Sequence, residues 1–179
     1  CCFGASRKGA WFLMKITSNY KGYTGIDYVF EYEDVDSFDF LKDEKCTQCY
    51  AVCFFEGKMV IVHNQEKDHW GLVGGTIEKG ESFEETLRRE IQEESNMEML
   101  SCLPVGYQKA TDMRDGSYII QLRYVCTAKP YGPFVSDPAG TIDKIALIDP
   151  KDHKKYFDWG EIGERIIERA GELLPKIVT

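Results

Sequence analysis

Residues 74–97 read GGTIEKGESFEETLRREIQEESNM. Within this segment Ser82 is followed three residues later by Glu85, which is the pattern of a helix capping box, and Phe83 begins a run of apolar residues at helical spacing. Asn96 follows that run, and asparagine is second only to glycine at the left-handed position that ends many helices. The segment therefore predicts a helix between Ser82 and Asn96, preceded by a glycine-containing loop.

The predicted helix turns carboxylates toward the body of the protein. At about 100° per residue, counted from the first apolar side chain, the core-facing arc runs from zero to about 80° and contains Leu87 and Ile91. Glu94 falls at about 20° and Glu90 at about 340°, inside or beside that arc, and Glu93 lies on its flank at about 280°. Two glutamates therefore face inward and a third borders them.

Inward-facing carboxylates need a partner. Carboxylates four residues apart repel one another, and partial burial disfavours their ionisation. A divalent cation shared by Glu90 and Glu94 removes both costs, and Glu93 could bind a second ion or position water. Oxygen ligands of this kind suit Mg²⁺ or Mn²⁺ rather than zinc. The alternative is an ordinary charged helix whose glutamates pair with neighbouring Arg and Lys side chains.

Fixed residue types recur in the same segment at a characteristic spacing. In order they are Gly75, five residues, Glu81, seven residues, Arg89-Glu90-Ile91, one residue, Glu93-Glu94, one residue, Asn96 and Met97. This arrangement resembles the Nudix box, with Asn96 in the place of a glycine. Because asparagine tolerates the same backbone conformation, the departure is mild.

The resemblance implies a fold, a metal site and a set of catalytic residues. The fold would be the α/β/α sandwich of the Nudix family, with a mixed sheet and a loop–helix–loop catalytic motif. The implied ligands of Mg²⁺ or Mn²⁺ are Glu90, Glu94, Glu93 and the carbonyl group of Gly74. Glu93 is alternatively a base that orients water, and Arg89 with Glu81 would brace the loop against the helix.

The implied reaction is hydrolysis of a nucleoside diphosphate linked to another group, by attack of water on a phosphorus atom. Nucleoside triphosphates are slightly favoured, because the landmarks of the ADP-ribose and dinucleoside-polyphosphate classes are not apparent. An ADP-ribose-type pyrophosphatase stays an alternative. A second alternative is a Nudix-like module that binds a nucleotide without cleaving it, although such modules usually lose glutamates of the box. An RNA-end hydrolase is disfavoured, because it needs a basic surface.

Other candidate site residues lie outside the helix. Many relatives add an acid from a later loop, and the downstream candidates are Asp112, Asp115, Asp137 and Asp143. The substrate-binding candidates are Trp70, Gly75 and Tyr118, although a core position is favoured for Trp70. Phe134 and Arg123 are further candidates for the wall of a nucleobase pocket.

The rest of the chain reads as strands and one more helix. Strands are predicted at residues 24–32, 47–55, 58–63, 70–73, 103–109, 118–128 and 144–148. Residues 161–174 have the apolar spacing of a packing helix. Residues 31–45 carry seven acidic and two basic side chains, which predicts a solvated loop. Mixed strands with few helices indicate an α/β layered sandwich.

Length and charge limit the remaining choices. The chain has 179 residues and a net charge of −8. This length predicts one domain at residues 14–179, with residues 1–13 as an N-terminal extension. The acidic balance argues against a nucleic-acid partner but not against a small nucleotide whose phosphates bind a metal. The longest apolar run has six residues, so no membrane span is expected.

The seven cysteines indicate the compartment only weakly. Five of them lie in apolar, strand-like sequence, which is typical of reduced, buried thiols. The pair Cys46 and Cys49 offers two of the four ligands of a structural zinc, and no second pair lies nearby. We therefore expect a cytoplasmic protein, and the sequence leaves a homodimer open.

Overall fold

The structure is a computed structural model that describes residues 13–22, 25–135 and 137–177. Within these residues the chain forms nine strands and two α-helices. The strands are β1 (Lys15–Lys21), β2 (Asp27–Asp34), β3 (Cys46–Phe55), β4 (Lys58–Asn64), β5 (His69–Gly71), β6 (Val73–Thr76), β7 (Met97–Asp112), β8 (Tyr118–Pro130) and β9 (Ile142–Ile148). The helices are α1 (Phe83–Ser95) and α2 (Gly160–Leu173), and short 3₁₀ segments cover Asp39–Leu41, Pro150–Lys155 and Leu174–Lys176.

A mixed sheet organises the molecule. Its strands follow the order β1-β2-β7-β8-β3-β4-β5, and β3 runs parallel to β8 while the other pairs are antiparallel. The first half of β3 pairs with β6 and its second half pairs with β4, which also pairs with β9. On this side of β3 the sheet therefore splits into two branches, β6 and β4. The glycines of β6 lie in the first branch, next to α1.

The two helices cover opposite faces of the sheet. Leu87 and Ile91 of α1 pack with Cys49, Ala51 and Cys53, the odd-numbered residues of β3. The side chains at positions 52 and 54 belong to the second core, which includes the apolar face of α2. This alternation follows from the two-residue repeat of a strand. It confirms the predicted α/β fold with a mixed sheet.

The predicted strands and helices agree with the observed ones in most places. The predicted strand at 70–73 is two short strands, separated at Leu72. The strand predicted at 103–109 is part of the much longer β7, whose register shifts between Met99 and Ser101 and again between Pro104 and Gly106. The prediction omitted β1, because most of its side chains are polar and exposed.

The prediction of a solvated loop at residues 31–45 is correct only in part, because most of residues 36–45 are exposed but residues 31–35 are not a loop in solvent. The stretch begins within β2, and the side chain of Asp34 is 0% exposed. Arg165 of α2 donates through Nη2 to Asp34 Oδ2 at 2.7 Å, and Arg169 donates to Asp36 at 2.7 Å. Four apolar residues of the same stretch are also buried: Tyr32, Val35, Phe38 and Leu41. Asp34 and Asp36 are therefore partners of α2, which lies some 130 residues later in the chain.

The predicted extension at residues 1–13 falls almost entirely outside the described residues, so the boundary at residue 14 stays a prediction. The five cysteines that the structure describes are free thiols: Cys46, Cys49, Cys53, Cys102 and Cys126. Among the described helices, none has the length and hydropathy that crossing a membrane demands.

Candidate functional site

Both ends of α1 are fixed by side chains that the sequence pattern singles out. Ser82 Oγ accepts from the Glu85 amide at 3.3 Å, and Glu85 Oε2 accepts from the Ser82 amide at 2.8 Å. Asn96 adopts the left-handed conformation, with φ 54° and ψ 41°. Its side-chain amide also donates to the Pro133 carbonyl at 2.9 Å. The capping box and the left-handed C-terminal residue are both confirmed.

The glutamates of α1 are turned as the helical spacing predicts. Glu94 Oε2 accepts from the Gly74 amide at 2.8 Å, which ties the helix to β6. The side chain of Glu90 is only 12% exposed and lies against Gly75, whereas Glu93 is 37% exposed. Two carboxylates therefore face the glycines of β6, and the third opens toward solvent.

Burial changes the acidity of this cluster. Loss of solvent raises the pKa of Glu94 to about 8, although the hydrogen bond from Gly74 opposes the shift. The charges of Glu90, Asp137 and Glu93 also contribute to this raised pKa. Burial also raises the pKa of Glu90, against the opposing effect of Arg89. Without a cation, burial therefore disfavours the ionised form of both carboxylates.

The guanidinium group of Arg89 lies among three carboxylates. It donates to both oxygens of Glu81, at 2.7 and 3.1 Å, and to Glu90 at 2.8 Å and Glu93 at 3.2 Å. It also donates to the Thr76 carbonyl at 3.0 Å. The hydrogen bond from Arg89 is the largest cause that lowers the pKa of Glu81 to about 2. Arg89 and Glu81 thus connect the loop to the helix.

The donor set fits a hard divalent cation, but the side chains are not gathered around one point. Among the described residues, no three Asp, Glu, His or Cys side chains converge in a metal-binding arrangement. A Cβ atom on Gly75 would lie 2.5 Å from Glu90 Oε1, so the absent side chain leaves room for that carboxylate. Glu90, Glu94 and Glu93 supply oxygen atoms only, which suits Mg²⁺ or Mn²⁺. Binding would require Arg89 to release Glu90 and Glu93.

The two glycines should respond differently to substitution. In Gly75→Ala the new methyl group meets only the Glu90 carboxylate, so we expect at least ~10-fold lower activity with little loss of stability. In Gly74→Ala the methyl group overlaps the backbone of Cys49 and Tyr50 at φ +141°, so the fold itself should be destabilised by roughly 1–3 kcal/mol. Thermal melting and steady-state kinetics on both variants measure the contrast. Equal melting temperatures for the two variants would contradict it.

Each of the four downstream acids has a local partner. Asp112 pairs with Arg114 at 2.6 Å, Asp115 accepts from the Ser117 amide at 2.8 Å, and Asp143 contacts His63 at 2.6 Å. Of the four acids, only Asp137 has a charge that contributes to the raised pKa of Glu94.

That acid, Asp137, is held by its own loop. It accepts from the amides of Ala139, Thr141 and Ile142 and from the Thr141 hydroxyl. Burial opposes its ionisation, but these hydrogen bonds outweigh burial and lower its pKa. Asp137 is therefore a loop-fixing carboxylate beside Glu94.

Of the three substrate-binding candidates, the structure brings only Gly75 to the glutamates. The ring of Trp70 packs against His63 and Tyr156, at centroid distances of 5.2 and 5.6 Å. Leu122 of β8 pairs with Cys49 of β3, which in turn pairs with Gly75 of β6. Tyr118 lies four residues before Leu122, so it is roughly 13 Å along the strand from the level of Gly75. Trp70 is thus partly buried and packs against the core on the α2 side of the sheet.

A cavity of about 540 Å³ lies on the other side of the β6 glycines, between the sheet and the N-terminal end of α2. This volume is typical of small-molecule sites. Aromatic, amide and cationic side chains line it, among them Phe30, Tyr50, His69, Gln121, Arg123 and Trp159. Tyr50 pairs in register with Gly74, so the cavity and the carboxylates share one strand segment. Two glutamines also line the cavity, Gln108 of β7 and Gln121 of β8. The sequence pattern does not reveal them, because polar residues in a strand are normally expected to face solvent.

The chain matches a known family over most of its length. The family model described as NUDIX domain matches residues 47–169. Among solved structures, the pyrophosphohydrolase BsRppH of Bacillus subtilis is similar, with a TM-score of 0.62 and 17% identity over 87% of this chain and 96% of that chain. A NUDIX hydrolase from Nitrosomonas europaea has a TM-score of 0.60 and 18% identity, over 72% of this chain and 90% of its own. A MutT NUDIX hydrolase from Burkholderia pseudomallei has a TM-score of 0.53 and 16% identity, over 68% of this chain and 95% of that chain. No curated protein sequence matches the chain.

Proposed function

Because the chain belongs to the Nudix hydrolase family, we propose that it hydrolyses a pyrophosphate bond in a nucleoside diphosphate linked to another moiety, with Mg²⁺ or Mn²⁺ as cofactor. Nucleoside triphosphates come first among the substrates. The observation that carries this proposal is the pair of buried carboxylates, Glu90 and Glu94, held against Gly74 and Gly75. Buried acids with raised pKa values are typical of groups that act on a ligand.

Each residue has a separate task in the proposed site. Glu90 and Glu94 would hold the cation, with Glu93 and the carbonyl of Gly74 as further ligands. The bound cation would offset phosphate charge and lower the pKa of a water molecule. Glu93 is the most exposed of the three glutamates, which suits it to orient the attacking water. Arg89 and Glu81 keep the loop in place, and Arg89 shifts its hydrogen bonds when the cation enters.

The alternative of a binding module without catalysis is weaker. Such a module does not need acidic residues beside a phosphate group, because uncompensated carboxylates repel the ligand. This chain keeps Glu81, Glu90, Glu93 and Glu94 together around one arginine. An ADP-ribose-type substrate stays within the same reaction class and is distinguished by assay alone.

The test is a metal-dependent hydrolysis assay. Protein stripped with EDTA is incubated with nucleoside triphosphates, ADP-ribose and dinucleoside polyphosphates, with and without Mg²⁺ or Mn²⁺. We expect release of phosphate, pyrophosphate or mononucleotide from at least one substrate only when the metal is present. Glu93→Gln and Glu90→Gln serve as variants of the proposed machinery. Absence of product from the whole panel, with both metals, would reject the proposal.

We also propose a small-molecule nucleotide as the partner of the site and the cytoplasm as the location. The support for a reducing compartment is that the five described cysteines are free thiols. A homodimer is the assembly to test, and light scattering on the purified chain measures it.

A further inference from the structure

We propose that Arg123 reads the base of the nucleotide and selects guanine-type bases, an inference that rests on the function proposed above. The residue lies in β8 and lines the cavity beside the β6 glycines. Three observations carry the proposal: the unsatisfied hydrogen-bonding capacity of its guanidinium group, the kind of side chains around it, and its position relative to the carboxylates.

The guanidinium group of Arg123 is buried and only partly bonded. The residue is 5% exposed, yet it contributes to the cavity wall. It donates to the Gln121 side-chain oxygen at 2.8 Å and to the Leu122 carbonyl at 3.4 Å. The buried Nε has no hydrogen-bond partner among the described residues. Arginine carries five N–H donors. Two of them are used in these hydrogen bonds and the Nε–H is buried, so one N–H on each Nη atom remains for a ligand.

The charge of Arg123 also has no ion-pair partner within the part of the chain that the structure describes. The guanidinium group stacks over the ring of Tyr50, 4.9 Å from its centroid. Burial lowers the pKa of Arg123, and the groups that oppose this effect are Tyr50, Tyr32 and Cys49 rather than a carboxylate. A buried cation without a counter-charge is costly, unless a ligand supplies strong hydrogen-bond acceptors.

The surroundings favour a flat base over a phosphate group as that ligand. Phe30, Tyr50 and Trp159 supply aromatic surface, which is what a base stacks on. Asp158 and Glu161 line the same cavity from the α2 side, and their charges would repel a phosphate. The cavity therefore suits the uncharged, planar end of a nucleotide.

A donor-only fork favours guanine among the common bases. Guanine presents two adjacent acceptors, O6 and N7, and arginine contacts both at once. Adenine and cytosine place an amino group on the corresponding edge, which would face the N–H groups of Arg123. The amide of Gln121 is fixed between Arg123 and Gln48, so the fork is held in one orientation.

The position of Arg123 suits a base whose phosphates reach the glutamates. Arg123 pairs with Tyr50 in β8 and β3, and Tyr50 pairs with Gly74 in β6. Leu72 lines the cavity, and Gly74 follows it by two residues, or roughly 7 Å along the strand. The cavity and the carboxylates lie on opposite faces of this strand segment. Among the described strands β6 pairs with β3 alone, so it forms an edge around which the phosphates of a nucleotide with its base on Arg123 would reach Glu90 and Glu94.

Base selectivity in hydrolysis is the first test. We expect kcat/KM with Mg²⁺ to be on the order of 10- to 100-fold higher for GTP than for ATP or CTP, the range that one bidentate contact provides. ITP keeps O6 and N7 and should match GTP, whereas 7-deaza-GTP lacks N7 and should be a poorer substrate. Equal kcat/KM for all bases would overturn the base assignment while leaving the proposed hydrolase intact.

Two variants of Arg123 separate base recognition from simple charge. Arg123→Met should abolish the preference for GTP over ATP. Arg123→Lys keeps the charge but lacks the fork, so it should lose most of the preference as well. Arg114→Met removes an exposed arginine that pairs with Asp112 and should keep the full preference. A preference retained in Arg123→Lys would overturn the proposal and indicate binding of an anion instead.

Calorimetry on the metal-free wild type gives a measurement that does not depend on hydrolysis. We expect GMP to bind more tightly than AMP, and Arg123→Met to remove the difference. If no nucleotide is hydrolysed but GMP still binds selectively, the hydrolase proposal fails and the base assignment stands. Equal affinities for GMP and AMP would overturn the base assignment.

Discussion

Glu94→Gln is expected to lower turnover at least ~100-fold, the usual cost of losing a group that stabilises charge in the reaction. The substitution keeps the shape of the side chain and can still accept a hydrogen bond from the Gly74 amide. The fold should therefore persist while the carboxylate is lost. Steady-state kinetics at saturating Mg²⁺ measure the effect, and near-normal turnover would remove Glu94 from the site.

The same substitution should stabilise the metal-free protein at alkaline pH. The pKa of Glu94 is raised to about 8 from an ordinary 4.5, so the folded state holds the proton more tightly than the unfolded state does. Stability of the wild type in EDTA should then fall as pH rises from about 4.5 to about 8, by no more than ~5 kcal/mol. Glu94→Gln should flatten that slope.

Urea unfolding between pH 5 and pH 9 tests this expectation. Glu93→Gln is the matched control, because its side chain is more exposed and its loss should leave the slope nearly unchanged. The same slope in wild type and Glu94→Gln would show that Glu94 is not the titrating group. If both effects are observed, the charge of Glu94 serves the reaction and destabilises the metal-free fold.

The second large effect is expected from Asp34→Ala. The Asp34 carboxylate is buried between β2 and α2, where Arg165 donates two hydrogen bonds to Oδ2 at 2.7 and 3.1 Å. Its removal leaves Arg165 buried without its closest partner, and we expect unfolding to become easier by ~3–5 kcal/mol. Chemical denaturation measures the loss.

Asp36→Ala provides the control for Asp34→Ala. Asp36 pairs with Arg169 of the same helix, but its side chain is 74% exposed. Because the Asp36 carboxylate is largely in solvent and the buried Arg169 also contacts Asp34 and Glu172, the loss of Asp36 should cost less than ~1 kcal/mol. Similar losses for the two variants would contradict the assignment of Asp34 as the buried anchor of α2.

The helix that carries the site could be predicted because its signals are local. The capping box between Ser82 and Glu85 and the left-handed Asn96 depend on neighbours within four residues. The inward placement of Glu90 and Glu94 follows from the helical repeat and the apolar positions alone. These features need no knowledge of the rest of the fold.

The features that the sequence did not reveal depend on distant partners. Asp34 looks like part of a solvated acidic stretch until Arg165, 131 positions later, packs over it. Trp70 and Tyr118 lie near the box or on a predicted strand, yet register places them away from the glutamates. The role proposed for Arg123 depends on the pairing of β3 with β8 beside α2, which the sequence alone does not show.

Arg89 has a consequence for how the protein matures. Its guanidinium group supplies one positive charge and hydrogen bonds to Glu81, Glu90 and Glu93. We therefore expect a newly synthesised chain to fold with this internal counter-ion, before any dissolved ion binds. Folding and metal binding would then be independent steps. When magnesium or manganese is scarce, we expect folded, metal-free protein to accumulate that becomes active once the metal binds.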